Sequence, residues 1–255
     1  MIVTDFTSKY TVDNDEKILL RKINDLINKS RREYAAVYSH FLDPVQQSLI
    51  SGISEFYGYI SFDGGYVDAE RRICRASADE YCQDSGSPVV LMKAVVHNAE
   101  LSHRDVLGSL MGLGIKREMI GDILPDKNTP RFFCYADAAD YIEFNLSKIG
   151  RYNAEVSRCT MLELPEQKFE LKTINVSSMR LDSVTAESFD ISRSKAAEFI
   201  KKGAVAVNWL ISPDISREIK SGDKISLRGK GKIEVADITG KSRKGRLFVE
   251  IKRKV

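Results

Sequence analysis

The stretch from Ser192 to Asn208 constrains the fold of this chain more than any other segment. Its sequence, SRSKAAEFIKKGAVAVN, predicts a short helix, a glycine stop and a strand. On an ideal helix over 192–202, the apolar residues share one side: Ala196, Ala197, Phe199 and Ile200. The polar residues share the other side: Ser194, Lys195, Glu198, Lys201 and Lys202. Because a helix this short is not stable alone, its apolar side must pack on a core.

The ends of this helix suit a binding role. Ser192 is a favourable N-cap residue and Gly203 a favourable C-cap residue. A fixed face with three lysines, and with N–H groups and serine hydroxyls at its N-terminus, suits phosphate groups. The alternative is an ordinary amphipathic helix with a solvated lysine face.

Charge is distributed unevenly along the chain. The 255 residues suffice for two or three domains, and the formal net charge is only +3. Residues 171–255 carry 19 Lys and Arg against 10 Asp and Glu, a net charge of +9, which leaves −6 for the rest. A basic C-terminal part on an acidic body favours a polyanionic partner.

Several function classes are disfavoured by what the sequence contains. Its four cysteines are scattered without a CxxC pair, so we expect free thiols and no zinc site. We also expect no other metal and no cofactor. An early Asp5 and the absence of a long apolar run argue against a signal peptide and a membrane span. We therefore expect a cytoplasmic protein.

The N-terminal part predicts a mixed helical domain over 1–82. Residues 14–55 have apolar residues at helical spacing, 56–62 form an aromatic, strand-like run, and 71–75 return as another strand. Asp63-Gly64-Gly65-Tyr66 is a turn signal between them. The polar segment 81–88 predicts a linker.

The middle part, 83–165, predicts a ferredoxin-like βαββαβ domain of the kind found in RNA-recognition domains. Its predicted elements are strand 89–96, helix 102–113, strands 118–124 and 131–135, helix 137–149 and strand 154–164. The aromatic residues of 131–135 are open to two interpretations, base stacking on an exposed face or burial in the core. The fold class is thus α+β.

Two glycine-rich hairpins add basic residues to the C-terminal part. The segment RGKGK carries Arg228, Lys230 and Lys232, and the later GKSRKGR carries Lys241, Arg243, Lys244 and Arg246. Glycine lets a backbone approach a phosphate closely, and the basic side chains neutralise it. A mobile surface loop is the alternative for 241–246.

In order and spacing, RLD (180–182), SRSKAAEFIKKGAVAVN (192–208) and SGDKISLRG (221–229) resemble the RNA-binding domain of small-ribosomal-subunit protein S-four, called here the S-four domain. We assign it to 174–255. Trp209, the only tryptophan, stands where many members have glycine. This tryptophan, the two basic hairpins, and the segments FDGGYVDAERR (62–72) and LSHRDVLGSLMGLGIKREMIGDIL (101–124) resemble the YlmH family.

The resemblance implies a bacterial, ribosome-associated RNA-binding protein. It implies docking on rRNA of the large ribosomal subunit, and a role in ribosome quality control on subunits that carry peptidyl-tRNA. The family is also labelled by a cell-division gene neighbourhood. We expect a monomer without a small-molecule substrate. The residues carried over as the RNA-facing set are Arg180, Ser192, Arg193, Ser194, Lys195, Lys201, Lys202 and Asn208.

Two other functions stay open from the sequence, an RNA-modifying enzyme and a cell-division scaffold. Pseudouridine synthases use an aspartate in an RLD context, which Asp182 matches in letters, but here the triplet lies within the S-four segment. No P-loop or glycine-rich nucleotide turn is present. His97, His103 and Asp105 lack a matching nucleophile motif, so we interpret them as structural and expect a non-catalytic protein.

Overall fold

The N-terminal helix α1 (Asn14–Glu33) shows how local sequence sets the first element. Asp13 and Glu16 form a capping box at its start, and Tyr34 ends it in the left-handed conformation, with φ 51°. The structure is a computed structural model that describes residues 13–79, 81–97, 100–126, 128–160, 169–242 and 245–254. The chain forms two compact units, Met1–Pro165 and Glu166–Val255.

A small sheet follows α1 in the first unit. Its elements are β1 (Val37–Leu42), α2 (Pro44–Ser51), β2 (Ile60–Asp63) and β3 (Arg72–Ala76), with the strand order β1-β3-β2. The helical prediction for 14–55 holds for α1 and α2 but not between them, because strand β1 separates the two helices. Val37, Tyr38 and Phe41 suit a pleated strand, and β1 pairs antiparallel with β3.

The ferredoxin-like arrangement of the middle part is confirmed. Its elements are β4 (Val89–Val96), α3 (His103–Gly112), β5 (Ile120–Leu124), β6 (Arg131–Tyr135), α4 (Ala136–Asn145), β7 (Lys148–Ile149) and β8 (Tyr152–Arg158). The antiparallel sheet has the order β5-β6-β4-β8-β7. The predicted boundaries differ most at three elements: a 3-10 turn at Arg117–Met119 delays β5, α4 ends before the added strand β7, and β8 both begins and ends earlier than expected.

Both faces of this sheet are covered. One packs on α3 and α4 through residues such as Phe132 and Ile142, which are fully buried. The other packs on the N-terminal part, where Phe133 lies in one cluster with Phe41 and Ile73. Since Phe132 and Phe133 are both 0% exposed, they are core residues, and the base-stacking interpretation of this strand is wrong.

A turn from the N-terminal part contributes to this packing. Tyr66 stacks on Phe133 with ring centroids 5.2 Å apart, and its hydroxyl donates to Asp122 at 2.8 Å. Asp122 also accepts from the backbone N–H groups of Glu70 and Arg71. Asp122 on β5 therefore holds the segment after the FDGGY turn in place.

The segment 81–88 is held to its neighbours by hydrogen bonds. The N–H of Gln83 donates to the Tyr34 carbonyl, and the N–H of Ala36 donates to the Gln83 carbonyl. Asp84 accepts from the Tyr38 hydroxyl and from Arg75. These paired groups tie the predicted linker to β1 and β3. The division of the first unit at residues 82/83 stays a prediction.

The second unit places two helices on one face of a six-stranded sheet. Its elements are β9 (Phe169–Val176), α5 (Leu181–Ser188), α6 (Arg193–Lys201), β10 (Val205–Val207), β11 (Leu210–Ile211), β12 (Lys224–Leu227), β13 (Gly231–Lys241) and β14 (Leu247–Lys254). The strand order is β11-β10-β12-β13-β14-β9. Leu181, Val184 and Ile200 of the helices share a core with alternate residues of the strands. No helix within the described ranges has the length and apolar character that crossing a membrane requires.

Candidate nucleic-acid interface

Helix α6 has the caps and the two-sided character that its sequence predicts. The Ser192 hydroxyl accepts from the N–H of Lys195, and Ala196 and Ile200 are fully buried. Gly203 lies one residue beyond the C-cap, with φ 68°. Its N–H donates to the Ile200 carbonyl, and the N–H of Ala204 donates to the Phe199 carbonyl, which is a Schellman motif.

The polar side of α6 is exposed to solvent at all three lysines, Lys195, Lys201 and Lys202. Lys202 pairs with Glu198 one turn earlier, at 2.5 Å. At the N-terminal end, the hydroxyls of Ser192 and Ser194 lie 3.1 Å apart. Helix α6 therefore presents two hydroxyls and three ammonium groups, one of which is partly neutralised.

Asp182 lies between two arginines of the predicted set. Arg193 donates to its carboxylate from Nε at 2.9 Å and from Nη2 at 3.2 Å. Arg180 donates from Nε at 3.2 Å and from Nη2 at 3.5 Å. Asp182 is 5% exposed, whereas the side chains of Arg180 and Arg193 are 39% and 49% exposed. The two guanidinium groups are thus fixed at the surface by one buried acid.

The electrostatics of this arrangement favour the charged form of each member. Burial by itself would raise the pKa of Asp182, but the hydrogen bonds from Arg193 and Arg180 outweigh it and hold that pKa below its usual value. The same hydrogen bond raises the pKa of Arg193. Helical spacing leaves the role of Arg193 undecided, and only the tertiary structure shows its pairing with Asp182 across the α5–α6 turn.

Asn208 and Trp209 form the turn between β10 and β11. Both have positive φ, 50° and 66°, as a two-residue hairpin turn requires. The Asn208 amide nitrogen donates to Asp223 at 2.7 Å, and its oxygen accepts from the N–H of Lys224 at 2.9 Å. Both polar groups of the Asn208 side chain are therefore used within the domain.

The first basic hairpin joins β12 to β13. Arg228 and Lys230 are exposed, and Lys232 is half-buried on β13. The Lys230 carbonyl accepts from Arg253, and the charges of Lys230 and Arg253 both help to lower the pKa of Asp190, after the larger effect of its hydrogen bond from Lys172. Lys230 and Arg253 therefore lie close to the α5–α6 turn.

The second basic hairpin joins β13 to β14. Lys241 is exposed, and Arg246 donates to the Asn175 carbonyl at 2.6 Å and pairs with Glu187 at 3.4 Å. Arg243 and Lys244 lie outside the described residues. Arg246 thus ties its hairpin to the start of the domain.

The geometry does not support a catalytic role for Asp182 or Asp105. Both oxygens of Asp182 accept from guanidinium groups, so this acid lacks the exposed carboxylate of a nucleophile. Asp105 accepts from the N–H and hydroxyl of Ser102 in a capping box, which is a structural role. Over the described ranges, no cluster of His, Cys, Asp and Glu could hold a metal ion.

One feature of the first unit was not anticipated from the sequence. A cleft of about 970 Å³ lies between α1 and β1, and Arg71 and Arg117 are among the residues that line it. Burial and the neighbouring Arg71 lower the pKa of Arg117 to about 10. The two arginines are far apart in sequence, so no spacing pattern could have paired them.

Comparisons with known proteins match the middle part and the C-terminal part of the chain to two families of RNA-binding domains. A family model described as "Putative RNA-binding domain in YlmH" matches residues 89–163, and one described as "S4 domain" matches residues 179–225. The solved structure titled "Cell division protein ylmH from Streptococcus pneumoniae" has a TM-score of 0.53 at 22% identity, covering 62% of this chain and 98% of that one, which shows a shared fold.

A curated relative covers almost the whole length. The "Ribosome-associated protein quality control protein P2" of Bacillus subtilis (strain 168) is 31% identical over 247 residues, which is 94% of this chain and 95% of the relative. Identity at this level over nearly both full lengths includes the YlmH-type domain and the S-four domain. The chain therefore belongs to the YlmH family of S-four-domain proteins.

Proposed function

We propose that this protein is a non-catalytic RNA-binding factor that docks on rRNA of the large ribosomal subunit and acts in ribosome quality control, on subunits that carry peptidyl-tRNA. The observation that carries the proposal is the fixed basic surface of α6, with the Arg180–Asp182–Arg193 cluster beside it. Family membership and the relative's name support the ribosomal setting. A cytoplasmic, monomeric protein fits this role.

The proposed RNA-facing set acts mainly on phosphates. Lysine ammonium groups are point charges that position an RNA without reading its sequence. The two arginines are better suited to phosphate recognition, since a guanidinium already held by Asp182 gives up little freedom on binding. Nη1 of each arginine makes no hydrogen bond to another described residue, so it can donate to a phosphate oxygen.

The remaining members of the set divide by role. Arg228, Lys230, Lys232, Lys241, Arg243, Lys244 and Arg246 belong to the two hairpins, which we propose to contact the RNA backbone. Asn208 supports the surface indirectly, because its amide fixes the β10–β11 turn. Ser192 and Ser194 supply hydroxyl donors at the helix N-terminus.

The test removes the α6 lysines together. The triple variant Lys195→Ala, Lys201→Ala and Lys202→Ala should no longer co-sediment with large subunits at moderate salt. The slope of log affinity against log salt should become shallower by about two to three units, one for each phosphate that the variant leaves without a lysine. The lower figure allows for the existing pairing of Lys202 with Glu198.

A matched control removes the same charge elsewhere. The triple variant Lys17→Ala, Lys22→Ala and Lys29→Ala changes three lysines of α1 in the first unit, and should keep the wild-type salt slope. Co-sedimentation of the α6 variant that equals that of the α1 variant would overturn the proposal. A changed nucleoside composition of rRNA from a deletion strain would instead support an RNA-modifying enzyme.

A further inference from the structure

The sheet of the second unit has a face that the helices do not cover. Ile225 and Leu227 of β12 and Ile233 of β13 are buried on the helix side. Since side chains alternate along a strand, Lys224 and Lys232 lie on the opposite face. Lys224 faces Glu234 and Lys232 faces Ser226 in the ladder, so the two lysines are diagonal neighbours on that face.

The Trp209 ring lies against these two lysines. Its centroid is 5.3 Å from Nζ of Lys224 and 5.4 Å from Nζ of Lys232, within the range of cation–π contacts. The indole N–H is buried and has no hydrogen-bond acceptor among the described residues. The ring is therefore held by the two ammonium groups that lie over it and not by a hydrogen bond from its N–H.

The backbone position of this tryptophan is costly to maintain. Its φ of 66° lies in the left-handed region, where bulky residues are rare and glycine is favoured. A strained residue with an unpaired donor lowers stability relative to glycine, and such outliers are a reason to look for a binding role. The Asn208 amide network keeps the turn closed, so the ring is preorganised on the sheet.

We propose that Trp209, Lys224 and Lys232 form a second RNA site, which binds a nucleotide of single-stranded RNA. The base stacks on the indole, and the two ammonium groups leave the ring to pair with the flanking phosphates. An aromatic side chain among lysines is the common chemistry of single-strand binding, whereas the base faces of a duplex are hidden. Glu234 lies 3.8 Å from Lys224 and competes with the phosphate for it.

This site deepens the proposed function and rests on it, because it assumes that the domain binds RNA. It adds a contact on the sheet face turned away from α5 and α6. The domain would then hold two RNA segments, one at the lysines of α6 and one at Trp209. A strand passing the β10–β11 edge of the sheet can reach both faces.

The experiment uses the full chain, whose only tryptophan reports directly on the site. The probe is an oligouridylate or oligoadenylate of about ten nucleotides, with an RNA duplex of the same length for comparison. Single strands should quench the Trp209 fluorescence and the duplex should not. A ring that stays unquenched at saturating oligonucleotide overturns the site.

Variants separate stacking from charge. Trp209→Gly suits the positive φ and removes the unpaired N–H, so the chain should fold, and its affinity for fluorescein-labelled oligouridylate should fall about tenfold. Trp209→Phe should keep most of that affinity. Lys224→Ala with Lys232→Ala should make the salt slope shallower by about 1.4 units, about 0.7 for each phosphate contact on a single strand. Equal affinity of Trp209→Gly and wild type overturns the proposal.

The two RNA proposals can fail separately. The α6 triple variant should no longer co-sediment with subunits but should keep the quenching by oligouridylate. Quenching that is absent while wild-type co-sedimentation is normal overturns the Trp209 site alone. Quenching that is present while the α6 variant sediments normally overturns the α6 proposal alone.

Discussion

Replacing Asp182 with asparagine tests the cluster that orients Arg180 and Arg193. Asparagine keeps the size of the side chain and removes its negative charge. In the wild type the carboxylate accepts from both guanidinium groups and from the N–H of Ser183 at 2.9 Å. In the variant an amide N–H faces two cations, so at least one arginine must turn away.

The size of the effect follows from burial. Removing one partner of a fully buried ion pair costs about 3–5 kcal/mol. Here the acid is 5% exposed, but the arginines are 39% and 49% exposed and can be rehydrated. We therefore expect a smaller decrease in the free energy of unfolding, about 2 kcal/mol, which corresponds to about 10 °C in the Tm of a domain of this size.

The decrease should depend on pH in a defined direction. The pKa of Asp182 is lower in the folded chain than in the unfolded chain, where a value of about 3.9 applies. Its contribution to stability is therefore complete above about pH 5 and is lost as the pH falls through the folded pKa. The difference between wild type and Asp182→Asn should be constant near neutrality and shrink below about pH 4.

Trp209 lies in the same unit, so its fluorescence can follow urea unfolding of that unit alone. Asp214→Asn is the matched control, since Asp214 is exposed and its carboxylate accepts from the N–H and the hydroxyl of Ser216, while the charge of Arg180 has a smaller effect on its pKa. The control should change the free energy of unfolding by less than about 0.5 kcal/mol. If Asp182→Asn matched the control near neutral pH, or kept its full deficit below about pH 3, the reasoning would be refuted.

Substitutions at four glycines give further predictions. Gly203→Ala places a side chain at φ 68° and should lower the free energy of unfolding by about 1 kcal/mol, followed by tryptophan fluorescence. Gly52→Ala, at φ −74°, should be nearly neutral by calorimetry. Gly121→Ala puts a Cβ 2.7 Å from the ring of Phe41 and should cost about 1–3 kcal/mol in calorimetry. Gly108→Ala, in open space on α3, should instead be neutral or stabilising by up to about 1 kcal/mol. A Gly108→Ala variant that is less stable than the Gly121→Ala variant would contradict the packing around Gly121.

Much of the second unit could be predicted from the sequence, because its signals are local. The Ser192 cap, the apolar side of α6 and the stop at Gly203 depend on residues within about two turns of helix. The ferredoxin-like order was also predictable, since each strand and helix carries its own periodicity. Strand β1 was missed because Val37–Leu42 follows a segment with a strong local helical pattern. Its strand partner β3 is distant in sequence, so no local signal indicated the pairing.

The sequence by itself determined the order of the elements, the basic C-terminal part and the family. The tertiary structure decided what each side chain does. It buried Phe132 and Phe133, paired Arg193 with Asp182, and laid Trp209 against two lysines. The physical reason is that caps and periodicity act over a few residues, whereas burial and charge pairing depend on partners that only the folded chain brings together.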